Sequence, residues 1–259
     1  MKIDVVTLST NDNPMYYDFW EPLSKLWKTK FNIHPVLVYC GEEVVSMSEE
    51  YGDVHYVPAV SGVDEFFPST WGRFWIAKEY PDKICMTGDI DMAPISHDFF
   101  RESVASLDEG IYTHLNCDAY GFGNPNHWRE HNQTLPAYYH VAKGSIFDEV
   151  YKFDAWEDEI KKVFSYEYPR FAKSSEPHLQ QASKWCLDEL YSTMKLREYE
   201  NNGGKVETRL LHKPRLDRIS WSYQEDDIIE GTYRDSHLLR PYSIHKKEID
   251  KVLELISTQ

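Results

Sequence analysis

Four short runs of β-branched and apolar residues stand out in the first hundred residues of the chain. Each run ends at polar or turn-forming residues, as buried strands do, and the runs lie at 3–9, 35–40, 54–58 and 83–88. The first and third of the intervening segments, 10–34 and 59–82, are long enough to hold a helix. The pattern therefore predicts strands separated by helices.

The intervening segments carry the signals of amphipathic helices. Pro14 opens a segment that runs to about Lys28, with apolar residues such as Leu23 at helical spacing. A second helix is predicted to begin with Ser69 as its N-cap and to end before Pro81. Strands that alternate with helices predict an α/β fold with a mostly parallel, right-handed central sheet covered on both faces.

The pattern is looser after the first hundred residues. Helices are predicted at 97–107, 144–152, 155–165 and 177–191, strands at 110–116 and 137–142, and a final amphipathic helix from about Ile244. The stretch 201–242 reads as mostly irregular. With no repeat and no low-complexity linker, we expect one domain over residues 1–259.

The charge balance restricts the partners. The chain has 43 acidic and 28 basic residues and a net charge of −15, which argues against general binding to nucleic acid or to an anionic membrane. A phosphorylated ligand would therefore need a metal ion or local basic residues to neutralise it. No apolar run approaches the ~20 residues of a membrane span. The four cysteines lack zinc-site spacing, and the N-terminus lacks a signal-peptide pattern, so we expect a cytoplasmic protein with buried free thiols and no transmembrane segment.

Two acids follow the fourth predicted strand. Asp89 and Asp91 lie in the sequence TGDIDMAPIS, directly after the apolar run KICM. Ligands of a parallel α/β sheet bind at the carboxyl ends of the strands, and side chains two apart in an extended chain point to the same side. Two carboxylates on one side suit Mg²⁺ or Mn²⁺. A solvated turn is the alternative, because such triplets are common in an acidic chain.

The order of these elements resembles that of GT-A fold glycosyltransferases. The resemblance rests on IDVVTLS, PVLVYC, a helix ending in KEYPDK, and a strand followed by the DxD triplet and MAPIS. It covers about residues 1–110 and is only positional beyond them. In that family the triplet holds a divalent metal and the ribose and diphosphate of a sugar nucleotide. The resemblance thus implies a GT-A-like (Rossmann-like) domain, with 1–110 as the nucleotide-sugar half and 111–259 as a less regular acceptor-side half.

The resemblance also assigns roles to individual residues. Asp89 would contact the ribose or reach the metal through water, and Asp91 would bind the metal. Arg73 lies where many members place a basic residue near the donor sugar or phosphates, although a surface ion pair would explain it equally. The loop expected to seat the nucleobase comprises Leu8, Ser9, Thr10 and Asn11.

The family often places a catalytic base at the start of a downstream helix. Glu176, in SSEPHLQQ, fits that position if the enzyme inverts the anomeric carbon. An acid in the first turn beside Pro177 is equally favoured by the helix dipole. A retaining enzyme needs no such base. Asp188 and Glu189 lie further along the same predicted helix.

Many members add a C-terminal histidine as a third metal ligand. His237 lies in a polar loop with Arg240, which would bind phosphate, whereas His245 reads as a surface residue of the final helix. Lys213 belongs to a basic patch with Arg215 and Arg218 that would face the diphosphate or form a solvated loop.

Acceptor sugars are commonly held against aromatic faces. The candidates lie in or near predicted loops: Trp71, Trp128, Tyr138, Trp221 and Tyr223. Trp128, Trp221 and Tyr223 are the acceptor-side residues that we retain.

The sequence thus predicts a metal-dependent glycosyltransferase with Mn²⁺ or Mg²⁺, a nucleoside-diphosphate sugar donor (UDP- or GDP-sugar) and a glycan or other hydroxyl acceptor. One alternative is an inactive carbohydrate- or nucleotide-binding module of the same fold. A sugar-nucleotide nucleotidyltransferase is another, but the loop STNDNPM lacks the glycines and basic residue that cradle a triphosphate.

Overall fold

A computed structural model describes residues 1–41, 45–63, 66–115, 124–129, 133–165, 186–210 and 212–259. Its main sheet has seven strands in the order β3-β2-β1-β4-β7-β6-β8. These strands are β1 (Val5–Asn11), β2 (His34–Cys40), β3 (Asp53–Val57), β4 (Ile84–Thr87), β6 (Tyr112–Leu115), β7 (His140–Lys143) and β8 (Val206–Arg209). β7 pairs antiparallel with both of its neighbours, and every other pair in the sheet is parallel. The predicted α/β fold with a mostly parallel central sheet is confirmed.

Helices cover both faces of this sheet. They are α1 (Trp20–Thr29), α2 (Phe66–Trp75), α3 (His97–Ala105), α4 (Gly144–Tyr151), α5 (Trp156–Phe164), α6 (Leu187–Asn201), α7 (Glu225–Ile229) and α8 (Tyr242–Ser257). The helix α3 begins where the Ser96 side chain accepts a hydrogen bond from the Phe99 amide at 3.2 Å. None of the helices in the described ranges is both long and apolar enough to cross a membrane.

The apolar residues form two clusters, one on each face of the sheet. One cluster packs α1, α3 and α8 against the sheet and includes Leu8 and Trp27. The other packs α2, α4, α5 and α6 and includes Val38 and Trp71. Val6, Val36, Val38 and Met86 of the central strands are 0% exposed, so the sheet is the middle layer of the core.

A second, three-stranded sheet links the last part of the chain to the end of β4. It consists of β5 (Met92–Pro94), β10 (Asp235–His237) and β9 (Arg215–Asp217), with β10 in the middle. β10 pairs antiparallel with β5, so that His237 lies opposite Met92. The amide of Leu238 also donates to the carbonyl of Asp91 at 2.9 Å. This pairing brings a late segment of the chain beside the two acids.

Several predicted boundaries are wrong. The first helix begins at Trp20 after a 3₁₀ turn at Tyr17–Phe19, because Pro14 lies in a preceding turn. Ser69 is inside α2, where its hydroxyl donates to the Phe66 carbonyl at 2.7 Å instead of capping the helix.

The later part of the chain also differs from its prediction. The helix predicted at 177–191 is described only from Leu187, and it continues to Asn201. The stretch 201–242, predicted to be irregular, contains β8, β9, α7 and β10. Its strands have only three or four residues, most of them polar, so their pattern is too short to read.

Two buried histidines generate a testable pH dependence. The Nε2 atoms of His114 and His140 lie 3.1 and 2.7 Å from the Pro136 carbonyl oxygen, so each Nε2 carries the proton that it donates. Burial lowers the pKa of His114 to about 3 and holds the pKa of His140 well below its ordinary value. Both rings are therefore neutral in the native protein at pH 7.

We expect this pair to lower the stability of the fold in acid. The unfolded chain takes up protons near pH 6.5 whereas the native chain does not, so stability is full above that pH and falls below it. Urea unfolding between pH 6.5 and 4.5 should show a fall of up to about 1.4 kcal/mol per pH unit for each ring. The double variant His114→Gln/His140→Gln should lose this part of the slope, and His212→Gln, at an exposed position, should keep it. An unchanged slope in the double variant would assign the acid sensitivity to carboxyl groups instead.

Candidate functional site

A cavity of about 270 Å³ lies at the carboxyl ends of β1 and β4. It is lined by residues from both halves of the chain: Ser9, Thr10, Asn11, Tyr16, Phe66, Ser69, Thr70, Arg73, Asp89, Ile90, Asp91, Ala137, Tyr138, Cys186, Asp188, Glu189, Arg218, His237 and Arg240. The location is the edge at which parallel α/β sheets bind ligands.

The floor of the cavity depends on a close approach between β1 and the end of β4. The amide of Gly88 donates to the Thr7 carbonyl at 2.9 Å. A Cβ on Gly88 would lie 2.9 Å from Leu8 Cδ2, so a larger residue here would require the Leu8 side chain to shift. Leu8 is 1% exposed and supports the floor from below, while Ser9 to Asn11 line the cavity itself.

One wall is fixed by Thr87, the last residue of β4. Its hydroxyl donates to the Ala137 carbonyl at 2.8 Å, and its carbonyl accepts the Tyr139 amide at 2.7 Å. Ala137 and Tyr138 therefore face the cavity from a segment tied to β4.

Arg73 holds the first acid of the triplet. Its guanidinium donates to the carboxylates of Asp89 and Asp188, the latter at 2.7 Å, and approaches the Gly88 carbonyl at 3.4 Å. Burial alone would lower the pKa of Arg73, but the two carboxylates outweigh burial and raise the pKa above its usual value. Burial raises the pKa of Asp188 in spite of Arg73. Arg73 is thus a buried cation that bridges α2, the triplet and α6.

Asp91 lies between two arginines and His237. Its Oδ2 is 2.8 Å from Arg218 Nη1, 3.4 Å from His237 Nε2 and 3.5 Å from Arg240 Nε. The side chain is 5% exposed; burial would raise its pKa, but His237, Arg218 and Arg240 outweigh burial and lower the pKa to about 2. Asp91 is therefore an anion at any physiological pH.

The three-stranded sheet positions His237 and Arg218 beside Asp91. His237 is the last residue of β10, and Arg218 follows directly after β9 in a 3₁₀ turn that the Asp217 side chain caps by accepting the Ile219 amide at 2.9 Å. Arg240 donates to the Tyr16 hydroxyl and lies over the Tyr16 ring, 4.8 Å from its centroid.

β10 is itself held by a buried ion pair. Asp235 is 0% exposed and accepts from Arg215 Nε at 2.7 Å, from Arg234 Nε at 3.3 Å and from the Tyr139 hydroxyl at 2.5 Å. Of the basic patch predicted at Lys213, Arg215 and Arg218, only Arg218 lines the cavity.

The spacing of Asp91 and His237 fits two ligands of one divalent cation, whose remaining ligands would come from substrate phosphate. Asp91 Oδ2 and His237 Nε2 are 3.4 Å apart, and two ligands about 2.1 Å from one Mg²⁺ at right angles lie about 3.0 Å apart. Within the described ranges, no three Asp, Glu, His or Cys side chains converge on one point. Mg²⁺ is, however, commonly bound by one or two protein groups with substrate phosphates. Asp89, a quarter exposed, lies on the same cavity.

Most of the predicted site residues meet in this cavity. Ser9, Thr10, Asn11, Arg73, Asp89, Asp91, His237 and Arg240 all line it. Lys213 does not: its ammonium donates to the Ser96 hydroxyl and the Gly231 carbonyl, both at 2.7 Å. Glu176 lies outside the described residues.

The predicted acceptor aromatics do not line the cavity. Trp128 is 0% exposed, with its indole N–H 3.4 Å from the Thr208 hydroxyl, so it is a core residue. Trp221 and Tyr223 pack edge to face with ring centroids 6.0 Å apart, against the core. Tyr138 alone of the aromatic candidates lines the cavity.

The sequence did not identify Tyr16 as a residue of the site, and it did not predict the contact between Asp188 and Arg73. Tyr16 follows a turn-forming cluster and carries no motif. Asp188 is in the first turn of α6 and not deep in a helix, because α6 begins at Leu187. An acid in a first turn is a recognised N-terminal signal, but the boundary had to be known first.

Comparison with known proteins gives matches to solved structures only. No family model matches the chain, and no curated protein matches it. The galactosyltransferase LgtC, in complex with donor and acceptor sugar analogues, is 11% identical with a TM-score of 0.45 over 99% of this chain and 96% of that chain. A glycosyltransferase involved in glycosylation of the major capsid of PBCV-1 is 9% identical with a TM-score of 0.46 over 96% and 99%. At this level of likeness neither match carries an argument about activity, which rests on the site.

Arg73 should be essential to the stability of the site because it neutralises two carboxylates at once. We expect Arg73→Met to destabilise the protein by about 3–5 kcal/mol in urea unfolding, since it leaves buried charge without a partner. Adding Asp188→Asn to that variant should restore part of the loss, because one of the two charges is then gone. Arg101→Ala, which removes an exposed cation paired with Asp98, is the control and should change stability by less than about 1 kcal/mol. A loss as small as that of the control would mean that Arg73 is not a structural cation.

Proposed function

We propose that the protein is a metal-dependent glycosyltransferase that transfers a sugar from a nucleoside-diphosphate sugar to a hydroxyl acceptor. One observation carries the proposal. Asp91 and His237 converge at the carboxyl edge of a parallel sheet, and the same cavity is lined by Asp89, Arg218 and Arg240. The observed topology and the sequence resemblance to GT-A glycosyltransferases support it.

Asp91 and His237 would hold Mn²⁺ or Mg²⁺, and Asp89 would contact the ribose or reach the cation through water. Such a cation neutralises the donor diphosphate and stabilises the leaving nucleoside diphosphate. Arg73 keeps Asp89 and Asp188 in place. This role is closer to the ion pair that the sequence left open for Arg73 than to a place near the donor sugar or phosphates, because its Nη atoms already bind carboxylates.

Arg218 and Arg240 would bind the diphosphate. A protein with a net charge of −15 repels a phosphorylated donor at long range, and these two guanidinium groups lie where the repulsion must be overcome. Lys213 is a weaker candidate for this role because Ser96 and Gly231 already engage its ammonium.

Ser9, Thr10 and Asn11 offer hydroxyl, amide and backbone groups for the nucleobase and ribose, beside the Tyr16 ring. Leu8 would act only through the floor of the site. We retain UDP- or GDP-sugar as the expected donor, the 1–110 and 111–259 division into donor and acceptor halves, and the expected cytoplasmic location as predictions.

The acceptor hydroxyl must lose a proton as it attacks the sugar. Glu176 remains the proposed base if the reaction inverts the anomeric carbon, and it has no such role if the reaction retains it. Tyr138 replaces Trp128, Trp221 and Tyr223 as the proposed aromatic contact, since it lines the cavity and they do not.

Donor binding tests the proposal directly. Thermal unfolding with UDP-, GDP-, CMP- and dTDP-sugars, each with and without Mn²⁺, should show stabilisation by one nucleotide class that requires the metal. Saturation at a hundred times Kd corresponds to about 2.7 kcal/mol. Asp91→Asn should abolish the shift and lower nucleoside diphosphate release at least about 100-fold, while Asp98→Asn, in an exposed ion pair, should keep both.

The same assay separates the alternatives. Metal-dependent binding of a donor, without release of nucleoside diphosphate from that donor in the presence of any acceptor, would indicate a binding module. Release of pyrophosphate from a nucleoside triphosphate and a sugar phosphate would indicate a nucleotidyltransferase.

His237 should control the affinity for the cation. We expect His237→Ala to raise the Mn²⁺ concentration at half-maximal donor binding by about 10–100-fold, because one of two converging ligands is lost. His212→Ala, at an exposed position, is the matched control. An unchanged Mn²⁺ requirement in His237→Ala would remove this residue from the metal site.

A further inference from the structure

Arg218 occupies the point at which Asp91 and His237 converge. Its Nη1 atom lies 2.8 Å from Asp91 Oδ2 and also donates to His237 Nε2. The same two acceptor atoms are the pair whose 3.4 Å separation suits a divalent cation. A guanidinium and a metal ion cannot both contact these lone pairs, so the two cations compete for one position.

Arg240 is different although it approaches the same carboxylate. Its Nε is 3.5 Å from Asp91 Oδ2, and its Nη1 donates to the Tyr16 hydroxyl on the other side of the cavity. It contributes positive charge near Asp91 without bonding to His237. Variants of the two arginines therefore separate two effects on cation binding. One is the positive charge near Asp91, and the other is a guanidinium that occupies the position between Asp91 and His237.

The backbone leaves Arg218 free to change partners. The residue starts a three-residue 3₁₀ turn directly after β9, and the next residue, Ile219, is 92% exposed. The Arg218 side chain is itself 24% exposed and lines the cavity. A rotation of the side chain can thus carry the guanidinium from Asp91 to another anion in the cavity without moving a strand.

We propose that Arg218 alternates between two anionic partners, the Asp91–His237 pair and the diphosphate of the donor, and so couples cation binding to donor binding. Without a nucleotide, Arg218 competes with the cation and weakens its binding. A diphosphate offers Arg218 a bidentate partner, which leaves Asp91 and His237 to the cation. By linkage, the cation strengthens donor binding by the same factor, typically about 5- to 150-fold. This inference rests on the proposed function, since it takes the donor to be a nucleoside diphosphate compound.

The test is the affinity for Mn²⁺ measured from the electron paramagnetic resonance signal of the free ion, with and without UDP or GDP. The variants are Arg218→Ala, Arg218→Gln as a second form that keeps the first carbons of the side chain but not the guanidinium, and Arg240→Gln as the charge-matched control. Without nucleotide, both Arg218 variants should bind Mn²⁺ about 10-fold more tightly than the wild type, and Arg240→Gln should gain much less. With nucleotide, all these proteins should gain affinity for Mn²⁺ because the diphosphate adds ligands, but the wild type should gain about 10-fold more than the Arg218 variants. A damaged fold cannot produce tighter binding.

Two results would overturn the proposal while leaving the proposed function in place. One is equal or weaker Mn²⁺ binding by the Arg218 variants without nucleotide, in a protein whose wild type binds Mn²⁺ and donor together. The other is an equal gain in Arg240→Gln, which would assign the effect to charge and not to occupancy. If the wild type binds no Mn²⁺ with or without nucleotide, and Asp91→Asn behaves identically, both the coupling and the metal-dependent transferase are wrong.

Discussion

The buried carboxylate of Asp91 is the constraint on which the site depends. An anion at this depth is costly unless charged and polar partners surround it, and Arg218, Arg240 and His237 supply them from segments far along the chain. The carboxylate therefore organises the C-terminal part of the protein around the end of β4. The groups that contact this carboxylate are also the ones that, in the proposed function, would bind a diphosphate and a divalent cation.

The two acids of the triplet have different surroundings. Asp89 shares Arg73 with Asp188, which ties it to α2 and α6, whereas Asp91 faces the small sheet. One acid is thus held by the helical side of the cavity and the other by the late strands. The two carboxylates look equivalent in the sequence. In the fold, each contacts a different wall of the cavity, and each wall is held by different elements.

The sequence predicts the parallel sheet and the position of the acids well, because both follow from local patterns. Buried strands such as β1 and β4 are apolar runs, and their carboxyl ends must meet at one edge. The partners of these residues are harder to predict. β10 has the sequence DSH and is recognisable only from its pairing with β5, and the bond from Lys213 to Ser96 is equally non-local. Trp128 lies in a polar, turn-rich stretch, yet it is fully buried and its indole N–H lies beside Thr208 of β8, a residue 80 positions away.

The pairing of β10 with β5 also has a consequence for the order of folding. Strands β1 to β4 are close in sequence, so their contacts close short loops, whereas β10 must return across more than half of the chain to reach β5. During synthesis, the first strands and helices can therefore assemble well before His237 has emerged. The two acids are synthesised early and stay without His237 beside them until β10 pairs with β5, so the scaffold forms before the proposed cation site is complete.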